Sequence, residues 1–150
     1  MEALVRKAVT ADIPQMCGLL SELFGIEADF SPDRRKQRRG LELLLNEISD
    51  SSIVLVAEKA GEVIGMCSVQ TVISTAEGGP VALLEDLIVR KDCRRKGTGT
   101  RLLTEISQWC MIRDITRIQL LRDTDNLAAR KFYSSSRWCE TKLVCMRKLL

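Results

Sequence analysis

Apolar positions along the chain recur with two periods, and the places where the period changes mark the elements. Residues 4–9 read as a short strand. Ile13, Met16, Leu20, Leu23 and Phe24 then recur at three- and four-residue spacing and give a helix one apolar face. Asp12 stands at the N-cap position, Pro14 lies in the first turn and Gln15 takes the capping-box place. Ser31-Pro32 opens a second helix as cap and first helical residue, with Leu41, Leu44, Leu45 and Ile48 as its buried face.

From residue 53 the pattern turns extended. Residues 53–59 and 63–73 flank the turn Ala60-Gly61-Glu62 and predict a hairpin. A loop over 75–80 with two glycines and a proline leads to a further strand, 81–89. Residues 98–113 are helical, with Leu102, Leu103, Ile106, Trp109 and Cys110 on one side. A strand over 115–122, a short helix over 126–135 and a closing strand over 143–148 complete the chain. The order β-α-α-β-β-β-α-β-α-β mixes antiparallel hairpins with one crossover helix, an α+β domain with a mixed sheet rather than a doubly wound one. No repeat or linker interrupts it, so residues 1–150 are expected to form a single domain.

Between the strand at 81–89 and the helix after it lies a basic, glycine-bearing turn with Arg94, Arg95, Lys96, Gly97 and Gly99. Strand, glycine turn and helix N-terminus converge exposed N–H groups and the positive end of the helix dipole on one point, an anion site. Glycine there lets the backbone approach a phosphate closely, which predicts a diphosphate-bearing cofactor. A GxxxxGK[ST] loop would need glycine at Asp92, and a GxGxxG fingerprint would need it at Leu102. What remains is Arg94-x-x-Gly97-x-Gly99.

Composition narrows the chemistry further. With 29% charged and 45% hydrophobic residues the chain reads as an ordinary globular protein. No apolar run reaches the ~18–20 residues of a membrane span and no signal-peptide pattern opens the chain, so a cytoplasmic, membrane-free protein is expected. The six cysteines are scattered without a CxxC pair and there is no histidine, so no metal site is expected. Ser-His-Asp and Cys-His catalysis are excluded, and a general base must come from a carboxylate, lysine, tyrosine, cysteine or water. A net charge of +3 does not argue for nucleic acid. The basic run over 34–39 (RRKQRR) reads as the exposed side of the second helix; a coenzyme phosphate, an acidic partner or RNA remain open as its contacts.

The Arg94-x-x-Gly97-x-Gly99 turn resembles the coenzyme A pyrophosphate loop of the GCN5-related N-acetyltransferase (GNAT) superfamily. A second motif of that family, Asn-x-x-Ala-x-x-Phe/Leu-Tyr, stands as Asn126, Ala129, Phe132 and Tyr133, one helix and one strand later. The element order agrees over nearly the whole chain. One departure is present: the Gly-Phe pair that usually follows the Tyr corresponds here to Arg137-Trp138.

The resemblance implies the GNAT fold, an acetyl-CoA cofactor and transfer of an acetyl group to a primary amine by direct attack in a ternary complex. Leu87 and Val89 would offer main-chain groups to the pantetheine arm. Arg94, Arg95, Lys96, Gly97, Thr98, Gly99 and Thr100 would hold the pyrophosphate, and Asn126 and Ala129 would complete the cofactor site, Asn126 serving also as a helix cap. An alkylamine with a pKa of about 10 is only about 0.1% neutral at pH 7, so a base is needed. Glu85 resembles the position of that base; Asp86 faces the other way in a regular strand, and a β-bulge would exchange the two. Tyr133 would protonate or hydrogen-bond the departing thiolate. Glu22, Glu27 and Asp29 would border the acceptor, suiting a small cationic or polyamine-like amine, or they form a solvated acidic surface. Three alternatives stay open: an acyl-CoA-binding regulatory module without turnover, a protein acceptor, and an aminoacyl-tRNA acceptor. The apolar closing segment is compatible with a homodimer.

Overall fold

The computed structural model describes residues 2–27 and 29–150. They fall into two compact units, Met1–Leu120 and Leu121–Leu150. The first holds one sheet whose five strands lie in chain order: β1 (Leu4–Lys7), β2 (Ser52–Lys59), β3 (Glu62–Ser74), β4 (Gly79–Val89) and β5 (Ile118–Leu120). All neighbours are antiparallel except β4 and β5, which run parallel. This is the mixed sheet of the α+β class, as the sequence predicts.

Both faces of the sheet are covered, so the central strands are apolar at successive positions rather than alternately. Helices α1 (Ile13–Ile26) and α2 (Arg34–Leu45) cover one face, where Ile13, Met16, Leu20 and Leu41 pack with Val54, Val56, Met66 and Ile88. Ile53, Leu55 and Ala57 alternate with those β2 residues and are equally buried. Helix α3 (Thr98–Ile112) covers that second face with Leu102, Leu103, Ile106, Trp109 and Cys110, the stripe its periodicity predicts. Gly65 permits the approach: a Cβ there would lie 3.2 Å from the Ile88 carbonyl oxygen and 3.5 Å from Leu102 Cδ1. The β2–β3 hairpin turns at Ala60 (φ 51°) and Gly61 (φ 80°), two successive positive φ values as an I′-type turn requires.

A partly buried charge network fastens the start of the chain. The Arg6 guanidinium donates to both Asp12 oxygens, at 2.8 and 2.9 Å, and to Glu58 at 2.8 Å. Asp12 also accepts from the Val9 N–H at 2.8 Å. Its side chain therefore closes the 3-10 turn Thr10–Asp12 instead of capping α1. Gln15 likewise closes no capping box; its Oε1 accepts from Val63 N at 2.9 Å and ties α1 to β3. The N-cap of α2 is Asp33 rather than Ser31: its carboxylate accepts from the N–H groups of Arg35 and Lys36, so the helix starts at Arg34. Ile48 lies beyond the end of α2 and is exposed, leaving Leu41, Leu44 and Leu45 to face the core.

The second unit contains α4 (Leu127–Ser135). The strand expected over 143–148 is not formed; Leu143, Val144, Met146, Leu149 and Leu150 are all exposed. Alternating apolar residues favour a strand only where a neighbour pairs their backbone and buries one face. The observed order ends β-α.

Candidate active site

The N-termini of α2, α3 and α4 are closed differently, and the difference locates an anion site. Asp33 caps α2 and Asn126 caps α4, whose Oδ1 accepts from Ala129 N at 3.0 Å. Helix α3 has Gly97 at its N-cap, in the left-handed region at φ 82°, with no side chain to accept from its first turn. The first intrahelical bond runs from Arg101 N to Gly97 O at 3.0 Å, so the N–H groups of Thr98, Gly99 and Thr100 have no partner one turn back in the helix. Arg95 is also at positive φ (59°). This cradle fits a phosphate: open N–H groups, the positive end of a 15-residue helix, and exposed Arg95 and Lys96 beside it.

Arg94 has another task. Its Nε donates to the Val89 carbonyl at 2.7 Å, and its terminal nitrogen pairs with Glu22 of α1. The guanidinium thus braces the loop between the end of β4 and α1, and Glu22 is engaged by it. Lys96 Nζ donates to Asp92 O at 2.9 Å, closing the loop on itself.

Strand β4 opens just before this cradle. It pairs with β5 only through Ala82, Leu83 and Leu84, while β3 accompanies it to Val89. Arg90 N donates to Ile64 O of β3 at 2.8 Å, so by two-residue alternation Leu87 and Val89 turn their main-chain groups to the outer edge. An extended ligand laid along residues 85–89 would find peptide groups there and run toward the N-terminus of α3. Among the described residues, the Val89 carbonyl is already taken, by Arg94.

The same strand carries the chemistry on its face. Ser68 lies opposite Asp86 and Val69 opposite Leu84, which leaves Glu85 as the extra residue of a β-bulge. Glu85 is exposed. Asp86 instead lines a cleft of about 440 Å³ together with Leu20 and Phe24 of α1, Asp29, Phe30, and Lys36, Gln37 and Leu41 of α2. Ser68 Oγ donates to Asp86 Oδ2 at 2.7 Å. Burial is the main influence on the Asp86 carboxyl and pushes it above the usual carboxylate range; the Ser68 hydrogen bond pulls it down and the nearby Glu85 charge pushes it up. A half-buried carboxylate of raised basicity inside a cleft is what removal of a proton from an ammonium group requires. The buried thiols are no rivals: burial raises Cys17 and Cys110 and pushes Cys67 up to about 12.

Residues 15–136 match the family profile described as the acetyltransferase (GNAT) family. The chain belongs to that family. The N-acetyltransferase YhfO of Bacillus subtilis (strain 168), itself described as uncharacterized, is 29% identical over 85 residues, which are 57% of this chain and 57% of that protein. Among solved structures, a possible acetyltransferase from Clostridium difficile 630 superposes with a TM-score of 0.85 at 18% identity, covering 100% of this chain and 99% of that one. Aminoglycoside N-acetyltransferase AAC(6')-Iy, in complex with CoA, superposes with a TM-score of 0.83 at 17% identity, covering 98% and 94%. At these identities the two structures show the shared fold.

In this GNAT chain the second family motif lies on α4. Asn126 is its N-cap, and Ala129 supplies the N–H that Asn126 holds. Tyr133 stacks edge-on between Phe132 and Trp138, with ring centroids 5.2 and 5.5 Å away. The missing family glycine leaves a visible mark. Trp138 N donates to Tyr133 O at 3.1 Å and Arg137 N to Ser134 O at 3.3 Å, the two bonds of a Schellman motif. Arg137 occupies its left-handed position at φ 66°, so the turn survives without glycine, at a steric cost.

Of the acidic residues expected around an acceptor, Asp29 lines the cleft, Glu22 is tied to Arg94, and Glu27 ends α1 with its N–H on Leu23 O at 3.2 Å. Asp86 was legible only as the alternative to Glu85, because the choice between them depends on the position of one bulge. Arg94 and Glu22 are 72 residues apart, and no local signal joins them.

Proposed function

We propose that this protein is an acetyl-CoA-dependent N-acetyltransferase acting on a primary amine of a small molecule. The observation that carries the reading is the open edge of β4, which leads into the uncapped N-terminus of α3 with the cleft carboxylate of Asp86 on the same strand. Acetyl-CoA, when bound, supplies an activated acetyl thioester. The chain's residues do the rest. N–H groups of Thr98, Gly99 and Thr100, with Arg95 and Lys96, hold the pyrophosphate; the main-chain groups of Leu87 and Val89 align the pantetheine arm. Asp86 takes a proton from the ammonium group of the acceptor, and Ser68 fixes the orientation of its carboxylate. Glu85, exposed on the bulge, adds negative potential near that proton. A phenol of pKa about 10 matches a thiolate of about 8.5, so Tyr133 donates a proton or hydrogen bond to the departing sulfur. Asn126 and Ala129 extend the cofactor site. No helix among the described residues is long and apolar enough to cross a membrane.

The testing experiment is thiol release from acetyl-CoA across a panel of amines, with wild type and Tyr133→Phe in parallel. Amine-dependent release that falls in the variant is the expected result. Calorimetric binding of acetyl-CoA with no amine-dependent release from any small amine would move the acceptor to a macromolecule or leave a binding module.

A further inference from the structure

The side of α2 that lines the cleft recurs at helical spacing: Asp33 at the cap, then Lys36, Gln37, Gly40, Leu41 and Leu44. Two of these residues sit badly with the helix that carries them. Gln37 is buried, at 7% exposure, and one end of its amide is held from α1. Ser21 Oγ donates to Gln37 Oε1 at 3.1 Å and to Cys17 O at 2.9 Å. The other end, Nε2, has no hydrogen-bond partner among the described residues. A buried donor left unpaired is costly, and folded proteins keep few of them. Gly40 stands one turn on, in the helix interior, where glycine is a poor helix former. Gly97 is needed for its positive φ and Gly65 for the close approach of Ile88 and Leu102. Gly40 has neither reason, since a Cβ there would meet nothing within 4 Å.

Residues three apart on a helix are neighbours, so the unpaired donor and the missing side chain lie side by side on the cleft wall. Together they describe a subsite for an oxygen. The carboxylates that line the cleft, Asp29, Asp33 and Asp86, suit the ammonium end of an acceptor and, when ionised, have no proton to give to an oxygen. Lys36 can donate, but it is exposed and water competes for it. We infer that Gln37 is a specificity-determining residue: its amide N–H donates to an ether, hydroxyl or carbonyl oxygen on the body of the acceptor amine, reached across Gly40. Asp86 takes the proton at the amine end. This inference rests on the proposed acetyltransferase reading and deepens it. An acceptor without the oxygen leaves the donor unpaired in the complex as well, and is selected against for that reason.

The test uses isosteric acceptors: pentylamine, and 2-ethoxyethylamine and 3-methoxypropylamine, in which an ether oxygen replaces one methylene. The readout is the ratio of kcat/KM for each ether to that for pentylamine, in wild type and in Gln37→Met. The basicities of the amines themselves cancel between the two proteins. The ratio for the better-placed ether should fall about tenfold in Gln37→Met. Gly40→Leu fills the space beside the amide and should lower kcat/KM for both ethers by at least about tenfold. Both variants should melt no lower than wild type, because one removes an unpaired donor and the other a helical glycine. NMR of the cofactor-free protein reads the subsite without turnover. The Gln37 side-chain NH2 signal, identified by its loss in Gln37→Met, should move with the better ether and stay in place with pentylamine. An unchanged ratio with an unmoved NH2 signal would overturn the inference and leave the acetyltransferase reading in place. So would a Gln37-dependent gain for 1,4-diaminobutane instead of the ethers, which requires the amide oxygen at the free end. Silence of every amine in turnover would overturn the acetyltransferase reading, and the NH2 signal alone would then decide the oxygen subsite.

Discussion

Asp12 and Asp86 are both sheltered carboxylates, and their surroundings assign them opposite work. Asp12 receives two hydrogen bonds from the Arg6 guanidinium and one from the Val9 N–H. The Arg6 hydrogen bonds outweigh burial and hold its carboxyl below the usual range. Asp86 receives a hydroxyl from Ser68, and burial dominates, so its carboxyl is raised. Where a cation is built in, the buried charge is satisfied and the group serves the fold. Where the cation is left to be supplied by a ligand, the charge is costly in the empty protein and useful in the occupied one.

Breaking either side of this contrast should have opposite signatures. Asp86→Asn should lower kcat/KM by 10²- to 10⁴-fold, the usual range for loss of a positioned base. It should also raise the melting temperature at neutral pH. The sign follows from linkage: an acid whose folded pKa is raised costs stability as pH climbs from the unfolded value, about 3.9, through the folded one, and the amide removes that cost. Asp12→Asn should do the reverse, destabilising by about 3 kcal/mol in denaturant melts because Arg6 loses its main buried partner. The folded fraction should keep its kcat. In the wild type, the Asp12 contribution is fully present above about pH 4 and is lost as pH falls through the lowered folded value.

Smaller changes sharpen the picture. Gly97→Ala forces a Cβ into the left-handed region and should cost about 1 kcal/mol of stability, with weaker coenzyme A binding in calorimetry. Arg137→Gly should stabilise by about 1 kcal/mol, since glycine suits the left-handed position of the Schellman turn. Ser68→Ala removes the one influence that pulls the Asp86 carboxyl down most directly. The acid limb of its pH–rate profile should therefore move to higher pH, with little loss at the plateau.

Much of this was written in local pattern. The Leu102–Ile106–Trp109 stripe of α3, the glycine at its N-cap and the Asn126 cap each depend on residues within a turn or two, and all stand where the pattern puts them. The parts that escaped depend on contacts distant in sequence. Gln15 looks like a capping-box residue and bonds instead to Val63, 48 residues away. The facing of Asp86 follows from a one-residue slip against β3, which hydrophobic alternation cannot locate because both faces of the sheet are buried. Residues 143–148 have a strand's composition but form no strand, and composition alone does not make one.

The most direct test of the account is the pH dependence of kcat/KM for one good amine, measured on wild type and Asp86→Asn. Wild type should show an acid limb with an apparent pKa above the ordinary aspartate value of about 3.9, followed by a plateau. In the variant that limb should vanish, leaving a slow rate that climbs with pH as free amine accumulates. An unchanged profile and rate in Asp86→Asn would contradict it and return the proton to another group.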